Sequence, residues 1–231
     1  MRRVPGLHRG RKQIHTGRDF ERLINFSDAV VAVAITVLVL AIVDIRPVGG
    51  ESTVWRLISD NGGQIFTFFF TFIVVGIMWL AHNRVLNQLR GFDGVTFWLN
   101  LFWLAGIAFL PWPSSLYGES FAWGGDDTVH GGGSGFLYWG TLAVISILAF
   151  LISWHARHSP NLLEPKARAA LDPADRGQFR GLVFAAIFLL IALVSIYSTG
   201  IAAYMPFLLI PASFLVRDRS GLDDVVEDAD S

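Results

Sequence analysis

Apolar and polar residues along this chain fall into long blocks rather than the short alternations of soluble strands or surface helices. Six apolar blocks approach the roughly 20 helical residues needed to cross a hydrocarbon core of about 30 Å. They run over 23–45, 65–85, 95–116, 136–154, 182–197 and 201–216. The fifth is short and meets the sixth across Ser198-Thr199-Gly200, which predicts a tight helical hairpin. Between the blocks, 54–59 predicts a short surface helix and glycine-rich 124–135 a flexible external loop. Residues 160–173 read as a polar cytosolic linker and 223–230 as an acidic, disordered tail. The pattern predicts an all-α polytopic membrane protein with six transmembrane helices per chain. Its parts are a basic, mobile arm at 1–21, the membrane domain at 22–217 and the acidic tail at 218–231.

Composition agrees with this reading. Hydrophobic residues make up 53% of the chain and charged residues 16%, well below the roughly 25% usual in soluble domains. The 19 Phe and 8 Trp suit lipid-facing surfaces and interfacial belts. Without cysteine, disulfides, thiol nucleophiles and Cys-ligated metals are excluded. A net charge of −1 says little, but placement is informative: 16 of the 18 Lys and Arg fall on one side of the predicted helices. Arg46 and Arg56 are the exceptions. The positive-inside rule therefore predicts both termini in the cytoplasm. The basic arm is read as a topology signal facing membrane lipids, with no nucleic-acid role. No internal repeat of the inverted-transporter kind is evident.

Polar residues inside apolar blocks are costly and call for partners or a water-filled path. Ser27 and Asp28 open the first block, His82 and Asn83 close the second, and Asn100 enters with the third. Ser27, Asp28, His82 and Asn100 should share one depth near the cytoplasmic boundary. One reading is a clasp in which Asp28 accepts from His82, Asn100 or Arg22. The other is a proton relay, or the acid/base pair of a membrane enzyme. The enzyme case lacks a second carboxylate near Asp28, a His-x-x-x-His pair and a nucleophile elbow, so no enzyme is expected. Beyond Asp28, Val33, Val37, Leu40 and Asp44 follow i, i+4, i+7, i+11 spacing and form one stripe, with Thr36 beside it. Spacing alone reads that stripe as ordinary helix packing.

Arg22-x-x-x-Phe26-Ser27-Asp28, followed by Ala32-Val33-Ala34-Ile35-Thr36 and Val39-Leu40, resembles the signature of the transmembrane protein 175 family of potassium channels. Trp79-x-x-His82-x-Arg84 is similar to the end of that family's second helix. Asn100-Leu101 and Phe109-Leu110-Pro111-Trp112-Pro113 are similar to its third helix and the turn after it. The resemblance covers the first half of the chain well and the second half only as hydrophobic pattern. It implies the bacterial form, in the inner membrane: a homotetramer whose first helices line a central pore without a carbonyl filter. Val33, Val37 and Leu40 would then form the hydrophobic constriction, Val33 its narrowest layer, and Thr36 a hydroxyl layer tied to potassium selectivity. Asp44 would collect cations at the external mouth. Arg22, Phe26, Ser27, Asp28, Trp79, His82 and Asn100 would make the structural clasp. No cofactor or fixed metal is implied, only permeating potassium ions. The competing reading is a proton-coupled transporter or proton pathway through Asp28 and His82.

Overall fold

The computed structural model describes residues 14–43, 45, 53–120, 133–159, 161–169, 180–198 and 205. A two-residue strand, β1 (His15–Thr16), leads through Gly17 into α1 (Arg18–Val37). Gly17 has φ 62°, a left-handed turn that favours glycine. Its carbonyl accepts from the N–H groups of Phe20 and Glu21 at 3.0 Å. Asp19 and Glu21 in the first turn complement the helix dipole. The helix thus begins within the stretch expected to be a mobile arm.

The first span covers Arg18–Val43, but it is broken at Leu38 and Val39 before resuming as α2 (Leu40–Val43). The cause is local. Thr36 Oγ1 donates back to the Val33 carbonyl at 2.7 Å, and the Val39 N–H turns to the Thr36 carbonyl at 3.2 Å. Hydroxyl back-bonding of this kind loosens the helical ladder and bends helices.

A short helix, α3 (Val54–Asp60), precedes α4 (Gly62–Asn87). At 1.5 Å per residue α4 is about 39 Å long, ample for a bilayer core. Next comes β2 (Gly91–Phe92), then α5 (Gly94–Phe109) and α6 (Pro111–Ser120), which together form one span over Gly94–Ser120. Their break at Leu110 follows from Pro111, which lacks an N–H and whose ring crowds the preceding turn. The described chain continues with α7 (Gly133–His158), α8 (Pro165–Ala169) and α9 (Arg180–Tyr197).

Four described segments are long and apolar enough to cross a membrane: Arg18–Val43, Gly62–Asn87, Gly94–Ser120 and Gly133–His158. Gly181–Tyr197 is a shorter apolar helix at the position of the fifth expected span. The sixth expected span and its hairpin lie outside the described residues, apart from Met205, which packs against the main core. Most of the external loop, the first thirteen residues and the acidic tail also lie outside them.

The main core joins α1, α4, α5, α7 and α9 around Trp103, Leu110, Tyr138, Leu142, Ile145 and Ile191, all essentially sealed. Some polar groups inside it bond one another. Thr71 Oγ1 donates to the Thr67 carbonyl at 2.6 Å, so the Tyr138 hydroxyl must donate to Thr71 Oγ1 at 2.7 Å. The outside is apolar instead: Phe69, Ile73 and Ile77 of α4, and Trp98 and Phe102 of α5, are exposed. A polar-bonded interior under an apolar coat suits lipid as the solvent.

A second core closes the end of the bundle where α1 begins. Phe20 and Leu23 of α1 meet Leu86, Leu89, Ala156, Leu162 and Leu163. The loop after α4 is the hub of this collar. His15 stands opposite Phe92 and Thr16 opposite Gly91 in an antiparallel pair, and Leu89 bridges Leu163. The Arg90 N–H donates to the Leu162 carbonyl at 2.8 Å, and the Glu164 N–H to the Gln88 carbonyl at 2.9 Å. Residues 161–169, expected to be part of a free polar linker, are therefore docked: Leu162 and Leu163 are buried and need this end of the bundle to leave water. Gly91 permits the close approach, since a Cβ there would lie 2.5 Å from the His15 carbonyl oxygen.

Candidate pore face and polar clasp

Helix α1 has two distinct faces. Phe20, Leu23, Ser27, Val31, Ala34 and then Leu38 recur every three or four residues and are buried against the rest of the chain. The opposite face carries Arg22, Phe26, Ala29, Val33, Thr36, Val37 and, in α2, Leu40, all exposed. Val33 is 62%, Leu40 59% and Val37 37% exposed, so this aliphatic stripe is turned largely away from the rest of the described chain. The ordinary packing that spacing suggested for it is supplied instead by the neighbouring stripe. Asp44, expected to extend the exposed line, lies outside the described residues.

Where α1, α4 and α5 meet, the polar residues form a directed hydrogen-bond chain. His82 Nε2 lies 2.8 Å from Asn100 Oδ1, which can only accept, so His82 carries its proton on Nε2. Asn100 Nδ2 donates to Ser27 Oγ at 2.9 Å, and Ser27 Oγ donates to the Leu23 carbonyl at 2.9 Å. His82, Asn100 and Ser27 are all buried. Asp28 takes a separate link: Trp79 Nε1 donates to its Oδ1 at 2.8 Å. The donor to Asp28 is thus Trp79, rather than His82, Asn100 or Arg22 as the sequence suggested. Arg22 and Phe26 lie on the exposed face, outside this bonded chain.

Chemically, this arrangement holds better than it conducts. A carboxamide stands between His82 and Ser27, and an indole N–H is donor only. Neither can accept a proton and pass one on as hydroxyls, carboxylates and imidazoles do. Among the described residues Asp28 and His82 share no direct hydrogen bond.

Two features escaped the sequence reading. Trp103 stacks flat on His82, with ring centroids 3.9 Å apart and planes 8° off parallel. Its position three residues after Asn100, on the same helix face, was the available signal. The other is Asp93, which caps α5 by accepting from Thr96 N and Oγ1 at 2.9 Å. His155 of α7 reaches both its carboxylate oxygens at 3.1 Å. An aspartate three residues before a threonine at a helix start is a legible cap, but the partner from α7 is not local. Burial raises the Asp93 carboxyl, yet the two Thr96 bonds and His155 outweigh it and hold the group below its ordinary 3.8. Among the described residues no three His, Cys, Asp or Glu are grouped to hold a metal ion.

An apolar coat over four described helices of membrane-spanning length defines a multi-pass α-helical membrane protein. The family described as "Endosomal/lysosomal potassium channel TMEM175" matches residues 22–111. A Streptomyces collinus protein, "Potassium channel B446_29190", is 29% identical over 159 residues, covering 68% of this chain and 74% of its own. The human "Endosomal/lysosomal proton channel TMEM175" is 29% identical over 157 residues, which is 67% of this chain but 29% of the human protein. The crystal structure of a lysosomal potassium-selective channel TMEM175 homolog from Chamaesiphon minutus shares the fold. Its TM-score is 0.66 at 21% identity, covering 87% of this chain and 100% of that one. The first half of the chain is thus similar to the TMEM175 family, whose named relatives here are ion channels.

Proposed function

We propose that this chain is a potassium-permeable cation channel of a bacterial inner membrane, with both termini in the cytoplasm. Four copies assemble with the exposed face of α1 and α2 around a central pore. The observation that carries this reading is the stripe of Val33, Val37 and Leu40, which stays exposed while the adjacent stripe packs its own subunit. A ring of such residues restricts ions by dewetting and by incomplete replacement of their hydration shells, and potassium gives up water more readily than sodium. Thr36 commits its hydroxyl proton to the Val33 carbonyl, which leaves its lone pairs to face a cation. Asp44 would concentrate cations at the outer mouth. The clasp of Ser27, Asp28, Trp79, His82 and Asn100 fixes the register of the pore helix, with Arg22 and Phe26 at its inner mouth.

The test is the reversal potential of the purified protein in planar bilayers under a potassium/sodium gradient, for the wild type and Val33→Ala. A shift toward the potassium potential that Val33→Ala alters is the expected result. No current from verified tetramers would overturn the reading.

A second reading, proton conduction, is favoured by the names of the vertebrate relatives. If protons pass, the amide and indole links direct them to pore water rather than through Asp28 and His82. Asp28→Asn would then leave proton flux intact in protein that still folds. Loss of flux with preserved folding would restore the Asp28 and His82 pathway.

A further inference from the structure

We propose that Arg90 and Arg168 form a binding site for a phosphate-bearing anion at the collar end of the bundle. The two side chains line one cleft of about 420 Å³ together with Asn161, Leu163, Pro165 and Ala169. They come from different parts of the chain, the loop after α4 and helix α8, and the collar brings them together.

Arg90 is held by its surroundings. Its backbone N–H donates to the Leu162 carbonyl at 2.8 Å, and its Nε to the Asn161 carbonyl at 2.6 Å. That anchors the guanidinium at Nε and leaves its terminal N–H groups without a partner among the described residues. The Arg168 backbone N–H donates to the Glu164 carbonyl at 2.9 Å, but its side chain has no hydrogen-bond or carboxylate partner among the described residues, and neither does the fork of Arg90. The wall beneath them is firm, because Leu163 is buried and bridged to Leu89. Glu164, the one carboxylate among the described residues of this loop, is exposed and does not line the cleft.

Two unpaired guanidinium groups facing one space repel each other unless an anion sits between them. A phosphate oxygen pair matches the planar donor fork of each arginine, which a compact ammonium does not. The cleft residues follow closely on the ends of α4 at Asn87 and α7 at His158, which, on the membrane placement proposed above, is the level of the lipid headgroups. The phosphate can therefore belong to an anionic lipid or be free in solution, and the chemistry of recognition is the same.

The experiment is a thermal-unfolding titration of the full-length protein in neutral detergent. Its probes are short-chain phosphatidylglycerol, short-chain phosphatidylcholine and inorganic phosphate. Saturable stabilisation by phosphatidylglycerol alone assigns the site to a lipid headgroup. Stabilisation by inorganic phosphate as well assigns it to the free anion. In both cases Arg168→Gln weakens the apparent affinity about tenfold, the loss of roughly one charge-assisted hydrogen-bond pair. Since the exposed Arg168 side chain makes no bond within the described chain and its backbone bond to Glu164 survives the change, that variant keeps its fold. Arg84→Gln removes an equal charge on the same side outside the cleft and changes the affinity less than about twofold. Equal weakening by Arg84→Gln would reduce the effect to general attraction by a basic face and overturn the site. So would stabilisation by phosphatidylcholine to the same extent, or no saturable effect of either anionic probe.

Discussion

Asn100 uses both ends of its amide, accepting from His82 and donating to Ser27, so it cannot be replaced by an apolar residue of similar size without loss. Asn100→Leu leaves the His82 N–H buried without an acceptor, at a cost of about 1–3 kcal/mol. Thermal unfolding of the purified variant should show that loss. His82→Leu/Asn100→Leu should cost less than the sum of the two single changes, because the second removes a group the first has orphaned. Asp93 gives a pH dependence of known sign. Its folded value lies below the ordinary 3.8, so the stability it contributes is present above 3.8 and is lost as pH falls through the lower folded value. The melting temperature should therefore drop more steeply below pH 3.8 in the wild type than in Asp93→Asn. Val33, the most exposed member of the aliphatic stripe, stabilises little within its own chain. Val33→Ala should thus alter conduction while changing monomer stability by less than about 1 kcal/mol.

Among the elements, the collar depends on a backbone approach rather than on side-chain chemistry. Gly91→Val would push a Cβ into the His15 carbonyl and separate β1 from β2. Hydrogen exchange at the amides of His15 and Thr16 should then rise to the rate of an open segment, while α7 stays protected. The long helices of the first four spans were legible in the sequence because each holds a lipid-length apolar block. The collar was not, for physical reasons. Strands of two residues have no periodicity to detect, and Leu162-Leu163 is too brief a pair to stand out in a polar stretch. The break after Val37 was hidden as well, since Thr36 weakens the helix through its hydroxyl while keeping its hydropathy unremarkable. In the clasp, Ser27, His82 and Asn100 could be placed at one depth from sequence. Which atom bonds which required the helix rotations, and these gave Asp28 to Trp79.

For the whole molecule, an aliphatic stripe left exposed beside well-packed neighbours asks for other copies. Light scattering of the detergent-solubilised protein, corrected for bound detergent, should give four times the 25.5 kDa chain mass. A monomer at the concentrations used for conduction would leave the α1 face to lipid and remove the basis of the central pore. The collar also orders events during synthesis. Thr16 pairs with Gly91, and Leu89 with Leu163, so the N-terminal end of α1 gains its partners only as later parts of the chain are made. At about 5–20 residues per second the ribosome needs on the order of ten seconds between Thr16 and Leu163. Through that interval the base of the first helix is fastened only in part, by Gly91 and Phe92 before Leu163 arrives. A nascent chain released before Leu163 would insert, yet never lock.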